Sequence, residues 1–308
     1  MSQDFRLLML GAMYENGGNM THRFLDGHPE LFVYPFESQL GTRLVADDLS
    51  SMFPVKYRWP VFALEATPAE DYKAIIDEEG KVRARTPFVS KFRDAPFDFS
   101  DDERCRIYRE YVAKTGRSRP NNVAAFFQAT FGAWKDYNRT GREVFHVGYS
   151  PILVVDADKI LDELPGSHFL QVVRNPWSAY ADTKKRAVPL SLRHYMLGWT
   201  INQYHALLLK ERYPDRLHIV RAEDVMRDPF GTLGDLSEKL GLERAESLRT
   251  PTWNGTPRGE IHPWGTIRKP TPEQNLATAR ELSDREQAEV RAFTWQYLDP
   301  FDYKNFLG

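Results

Sequence analysis

The stretch FRLLMLGAMYENGGNMTHRFLDGHPELFVYPFE, Phe5 to Glu37, decides how the rest of the chain is read. An apolar run, Leu7-Leu8-Met9-Leu10, ends at Gly11 and reads as a buried strand. Asn16-Gly17-Gly18-Asn19 form a polar, glycine-rich turn, after which Met20, Phe24 and Leu25 share one face of a helix. Strand, tight turn and helix, in that order, leave backbone N–H groups and a helix N-terminus facing an anion. A second strand, Leu31 to Tyr34, follows at once and runs into an acid, Glu37. The segment is expected to hold a phosphate-bearing donor, with the rest of the chain completing the site.

Further along, the same rhythm returns. EVFHVG, Glu143 to Gly148, reads as a short strand, and Pro151 to Leu164 as a helix. SHFLQVV, Ser167 to Val173, is a nearly continuous apolar strand that ends on Arg174-Asn175-Pro176. Pro176 suits a helix N1 position, so a helix is expected through Arg186. A longer one is expected from Leu190 to Tyr213, then a strand over Leu217–Val220 and a closing helix over Ser283–Leu298. Strands separated by helices of this length imply right-handed crossovers and one central parallel sheet with helices on both faces.

Between the two strand-rich parts the pattern is looser. A polar stretch through Gln39, Arg43 and Asp47 reads as a helix ending before Pro54. Residues 55–140 are aromatic and proline-rich and read as a substrate-side insertion within a single domain of 308 residues. Ser100 with Glu103 three residues on marks a helix start. Val123, Phe126, Phe127, Phe131 and Trp134 form a stripe that suits core packing. Thr250 to Thr271 is a long Gly-, Pro- and Trp-rich loop, and loops of that length are usually functional or disordered. No internal repeat is present.

Composition narrows the partners. A net charge of −2 and a pI of about 6.5 provide no basic field for nucleic acid. The single cysteine, Cys105, excludes an internal disulfide framework and a cysteine zinc site. No apolar run approaches the roughly 18 residues of a membrane-spanning helix. MSQDFRLLML carries an acid where a signal peptide would be basic. A soluble, cytoplasmic protein is the expectation, and its oligomeric state is not legible.

Three blocks together resemble the PAPS-dependent sulfotransferases: the glycine turn and helix ending in LDGHPEL, then FLQVVRNPWSAYADTKKR, then VRAEDVMRDPFGTLGDLSEKLGL. They occur in family order and span most of the chain. The resemblance implies a P-loop-like nucleotide-binding α/β fold, PAPS as co-substrate with PAP as product, and no metal. It also implies transfer of a sulfuryl group to a hydroxyl or amine of a carbohydrate or small-molecule acceptor. On that pattern Asn16, Gly17, Gly18, Asn19, Met20 and Thr21 would surround the 5′-phosphosulfate. Arg174 would begin the 3′-phosphate block, position 182 would complete it, and Arg258-Gly259 would close over it, with Arg268-Lys269 as a rival.

The chain also departs from the family. The family loop carries Lys or Arg before its Ser-Gly-Thr-Thr. Here the sequence is Tyr14-Glu15-Asn16-Gly17-Gly18-Asn19-Met20, with Glu15 in the cation's place and about one extra residue before His28. The family's serine eight positions after the arginine is Asp182, and the tyrosine before Glu-Asp is Ala222. Two side chains are candidates for the base that takes the acceptor proton: Glu37, after the second strand, and His146, on EVFHVG. Trp253 and Trp264 are candidates for an apolar wall against the acceptor. The lost cation and hydroxyl positions keep a second reading open, a non-catalytic or differently specific nucleotide- or phosphate-binding protein on the same fold.

Overall fold

The computed structural model describes residues 5–90, 92–257 and 271–308. Five parallel strands form the main sheet: β1 (Leu7–Ala12), β2 (Leu31–Val33), β3 (Phe145–Tyr149), β4 (His168–Val173) and β5 (Leu217–Arg221). Their spatial order is β2-β3-β1-β4-β5. Leu10 of β1 lies opposite Tyr149 on one side and Leu170 on the other. The described helices are α1 (Gly18–Leu25), α2 (Pro68–Ala74), α3 (Glu78–Arg85), α4 (Asp101–Thr115), α5 (Arg119–Ala133), α6 (Ala157–Glu163), α7 (Pro176–Lys184), α8 (Leu192–Arg212), α9 (Ala222–Arg227), α10 (Pro229–Lys239), α11 (Pro272–Ala279) and α12 (Asp284–Leu298). A small antiparallel hairpin joins β6 (Thr252–Trp253) to β7 (Thr256–Pro257).

The inner strands are largely apolar because helices cover both faces of the sheet. Leu8 and Leu10 point to one face, where they meet Met20, Phe24 and Leu25 of α1 and Leu233 and Leu236 of α10. Leu7 and Met9 point to the other, where they meet Phe126 and Phe127 of α5 and Ile160 and Leu161 of α6. The aromatic stripe of α5 is buried there, as the sequence suggested. The stretch read as an insertion thus supplies α2 to α5, and α5 serves as a covering layer of the sheet.

Two local expectations changed. The segment Gln39–Asp47 is not a helix; two short 3-10 turns, Asp48–Ser51 and Val55–Tyr57, follow it. Gly41 packs so tightly on backbone that an added Cβ would lie 1.7 Å from the carbonyl oxygen of Val55. Thr42 accepts from Val61 N at 3.1 Å and donates to its carbonyl oxygen at 2.6 Å, which keeps this stretch extended. The expected helix over Pro151–Leu164 begins with a 3-10 turn, Leu153–Asp156, before α6.

From β1 the chain leaves towards β2 on one side of the sheet, and from β4 towards β5 on the other. The crevice between the carboxyl ends of β1 and β4 is therefore a topological switch point, where open α/β sheets collect their ligands. Among the described residues no helix is long and apolar enough to cross a membrane.

Candidate active site at the switch point of the sheet

The turn after β1 is shaped by two residues in the left-handed region, Glu15 at φ 59° and Gly17 at φ 83°. Gly17 permits this conformation at no steric cost, whereas Glu15 is held in it. The holding contacts come from Asn16, which is fully buried. Its Nδ2 donates to the Tyr14 carbonyl at 2.8 Å and to the Tyr195 hydroxyl at 2.9 Å, and its Oδ1 accepts from Arg174 N at 3.1 Å. Asn16 thus fastens the turn to the end of β4 and to α8, and its amide is engaged in that task.

Helix α1 starts on Gly17 without a side-chain cap, and its first main-chain bond is Thr21 N to Gly17 O at 3.0 Å. Among the described residues, no acceptor reaches the N–H groups of Gly18, Asn19 and Met20. Such a helix start carries about half a positive charge and favours an anion. Gly18 rests directly on Tyr149, where a Cβ would lie 2.5 Å from the ring. The buried Thr21 hydroxyl has no partner among the described residues, and Met20 belongs to the core.

Glu37 stands at the neighbouring strand edge. Ser38 locks this segment to the end of β3: its N donates to Tyr149 O at 2.6 Å and its Oγ accepts from Tyr149 N at 2.7 Å. Arg23 of α1 donates to the Pro35 carbonyl at 3.2 Å, so the loop helix and the Glu37 segment are joined. Gln39 donates to Glu37 Oε2 at 3.2 Å. Burial, and then the Glu37 charge, raise the Tyr57 and Tyr149 hydroxyls above their ordinary values. In Tyr14 burial raises the value while Arg186 opposes it, with Glu37 adding to the rise. All three hydroxyls therefore remain protonated near neutral pH, and the Tyr14 and Tyr57 rings meet edge to face. Arg186 lies over the Tyr14 ring, 4.8 Å from its centre, and forms no ion pair among the described residues. It provides an exposed cation on this side of the site.

His146 lies elsewhere. It is the second residue of β3, three residues before the carboxyl end, or about 10 Å along the strand. Phe5, Phe32, Phe127 and Phe131 surround its ring, both nitrogens lack hydrogen-bond partners, and burial pushes its pKa down to about 3. The structure does not bring it together with the glycine turn.

Arg174 is in the crevice, fully buried. Its Nε donates to Asn275 Oδ1 at 2.7 Å, and its Nη1 donates to Glu15 O and to Asp182 Oδ2, both at 2.8 Å. Asp182 is equally buried and also receives Lys185 Nζ at 3.3 Å. Beside them Glu223 accepts from Asn175 Nδ2 at 2.8 Å, Asn275 Nδ2 at 2.9 Å and Tyr303 Oη at 2.7 Å. The side of the site after β1 has the donors an anion needs, and the side after β4 already holds its own counter-charge.

Arg258, Gly259, Trp264, Arg268 and Lys269 lie outside the described residues. Trp253 is buried against Phe36 and Phe92, with its Nε1 donating to the Pro96 carbonyl at 2.8 Å, and so packs in the core. The sequence pattern passed over Asn275 and Tyr195, which hold Arg174 and the turn. Nothing local marks them, because both act over more than 100 residues of separation. Tyr14 and Tyr57 were visible as aromatics, but not their meeting at 5.9 Å.

The fold and the crevice together define a parallel α/β protein with an uncapped helix start at its switch point. The chain belongs to the sulfotransferase family, whose sequence model matches residues 16–246. Among solved structures it is similar to the sulfotransferase domain of the Synechococcus PCC 7002 olefin synthase, at 15% identity and TM-score 0.48, covering 95% of this chain and 94% of that one. It is also similar to the sulfotransferase STF9 from Mycobacterium avium, at 14% identity and TM-score 0.47, covering 98% and 78%. A third is a retinol dehydratase solved with androsterone and the inactive cofactor PAP, at 12% identity and TM-score 0.46, covering 99% and 84%. No curated protein sequence matches the chain. Among the described residues no cluster of His, Cys, Asp or Glu is arranged to hold a metal ion.

Proposed function

We propose that this protein transfers a sulfuryl group from a nucleotide phosphosulfate to a hydroxyl or amine of a carbohydrate or small-molecule acceptor. PAPS is the donor that the family resemblance implies. The supporting observation is the juxtaposition of the uncapped start of α1 with Glu37, joined through Arg23 and through Ser38 on Tyr149. A bound phosphosulfate supplies an electrophilic sulfur and a phosphate leaving group. The N–H groups of Gly18, Asn19 and Met20 are oriented to bind that phosphate and to stabilise the charge it gains. Glu37 is the base: its half-buried carboxylate takes the proton of the acceptor group. Tyr14 and Tyr57 form the acceptor wall, and Arg186 offsets the negative charge of Glu37 and the donor. Transfer of labelled sulfate to a panel of hydroxylated acceptors, from PAPS and from adenosine 5′-phosphosulfate, tests the reading. Loss of transfer in Glu37→Gln, with nucleotide binding intact, is the expected result; full activity in that variant refutes it.

One observation favours a second reading, a nucleotide-binding protein of different specificity. The buried Arg174–Asp182 pair places a carboxylate where the resemblance calls for a hydroxyl beside a 3′-phosphate. Binding of a nucleotide with no transfer to any acceptor would favour it.

A further inference from the structure

The crevice after β4 does not fit a 3′-phosphate. Arg174 and Asp182 are both fully buried and 2.8 Å apart, so the guanidinium already has its counter-ion. Glu223, also buried, adds a second carboxylate whose described partners are neutral donors: the Asn175, Asn275 and Tyr303 side chains and the Asn175 N–H. Asn275 bridges the two halves, accepting from Arg174 and donating to Glu223. Among the described residues this network thus holds two buried carboxylates and one buried guanidinium, with Asp182 on the guanidinium and Glu223 linked to it through Asn275. Lys185 reaches Asp182 at 3.3 Å, but it also pairs with Glu281 at 2.8 Å and so adds no net charge. A phosphate monoester entering here would bring about two further negative charges into a low-dielectric space whose described side chains already carry a net negative charge.

One donor group in the crevice is unused. The Nη2 of Arg174 is buried and has no hydrogen-bond partner. A buried unpaired N–H calls for an acceptor, and in a site with a full set of carboxylates a neutral acceptor is the one that fits. A hydroxyl meets both needs, since its oxygen accepts from Nη2 while its proton is offered to a carboxylate. An acidic residue accepting from a ribose hydroxyl is also how dinucleotide folds choose the free hydroxyl over the phosphorylated one. We infer that the nucleotide taken by this site carries a free 3′-hydroxyl and that the Asp182–Glu223 side of the crevice selects against a 3′-phosphate.

This inference rests on the reading of the crevice as a nucleotide site, and the experiment separates the two. Calorimetric titration of the full chain at fixed ionic strength compares adenosine 5′-monophosphate with adenosine 3′,5′-bisphosphate. The expected result is that the monophosphate binds at least as tightly as the bisphosphate. Bisphosphate binding tenfold or more tighter overturns the inference and leaves the nucleotide reading standing. Absence of heat with either nucleotide at millimolar concentration overturns the nucleotide reading and the inference with it. Asp182→Asn keeps the shape and removes one carboxylate, so it is expected to shift the ratio of the two affinities at least tenfold towards the bisphosphate. An unchanged ratio in a folded variant overturns the role given to Asp182, and the wild-type comparison decides the inference even if that variant does not fold.

Discussion

Gly18 is the most informative single position in the turn. An added Cβ would lie 2.5, 2.6 and 2.7 Å from Cε2, Oη and Cζ of Tyr149, whereas ordinary contact begins near 3.4 Å. Tyr149 has little room to retreat, because it is 5% exposed and packs in the core beneath the turn. Overpacking of this kind costs about 1–3 kcal/mol. Gly18 does not have a positive φ, so alanine adopts the backbone and recovers about 0.5–1 kcal/mol through reduced chain freedom in the unfolded state. The net expectation for Gly18→Ala is a destabilisation of about 1–2 kcal/mol. Tyr149→Leu is costly alone, but it removes all three crowded atoms. The two substitutions together should therefore show a coupling of at least about 1 kcal/mol in the relieving direction. Urea midpoints of the four proteins, with unchanged denaturant slopes, give the cycle. A Gly18→Ala protein as stable as wild type, with no coupling to Tyr149→Leu, would refute the close seating of the turn on β3.

Other consequences follow from the same contacts. Glu37→Gln should abolish sulfuryl transfer while calorimetric nucleotide affinity changes less than about threefold, or about 0.7 kcal/mol. His146→Phe tests the buried imidazole through its proton linkage. The folded pKa of about 3 lies below the ordinary 6.5, so below pH 6.5 the unfolded state takes up the proton first. Wild type should thus lose about 2–3 kcal/mol between pH 7 and 4.5 from this residue, and His146→Phe should lack that loss in paired urea titrations. Asp156→Ala should cost about 3 kcal/mol in the same assay. It leaves buried Arg58 without the carboxylate that meets its Nε and Nη2 at 2.8 Å, while Asp47 still pairs with it.

What could be read from the sequence was what local pattern encodes. The apolar runs at Leu7–Leu10 and Phe169–Val173 are doubly covered strands, and Ser100 caps α4 through Glu103 N at 3.2 Å. Helix starts at Pro176 and Ser283 also fell within a residue or so of the observed ones. The stretch Gln39–Asp47 was misread because a helical composition says nothing of Gly41 lying against Val55, a constraint from another segment. Glu37 was legible only as an acid placed after a strand, which the fold bears out as a position beside the end of β3. His146 was equally visible as a lone histidine on a strand, and only its position at the amino end among four phenylalanines separates it from the turn. Pattern alone showed Arg174 and Asp182 as neighbours eight residues apart on either side of a helix start. That Asp182 neutralises the guanidinium depends on side-chain direction, and Asn275 and Glu223 depend on chain closure over long separations.

Arg174 also ties together distant parts of the chain. Its partners are Glu15, 159 residues upstream, and Asn275, 101 residues downstream, and the adjacent Glu223 is bonded by Tyr303, a further 80 residues along. All five strands of the main sheet lie before residue 222, whereas α10, which covers one of its faces, and α11 lie after it. The turn after β1 acquires its last anchors only when α11 and the segment around Tyr303 dock. Closing loops of that length is entropically slow relative to forming nearer contacts. The C-terminal segment therefore completes the surroundings of Arg174 as much as the glycine turn does.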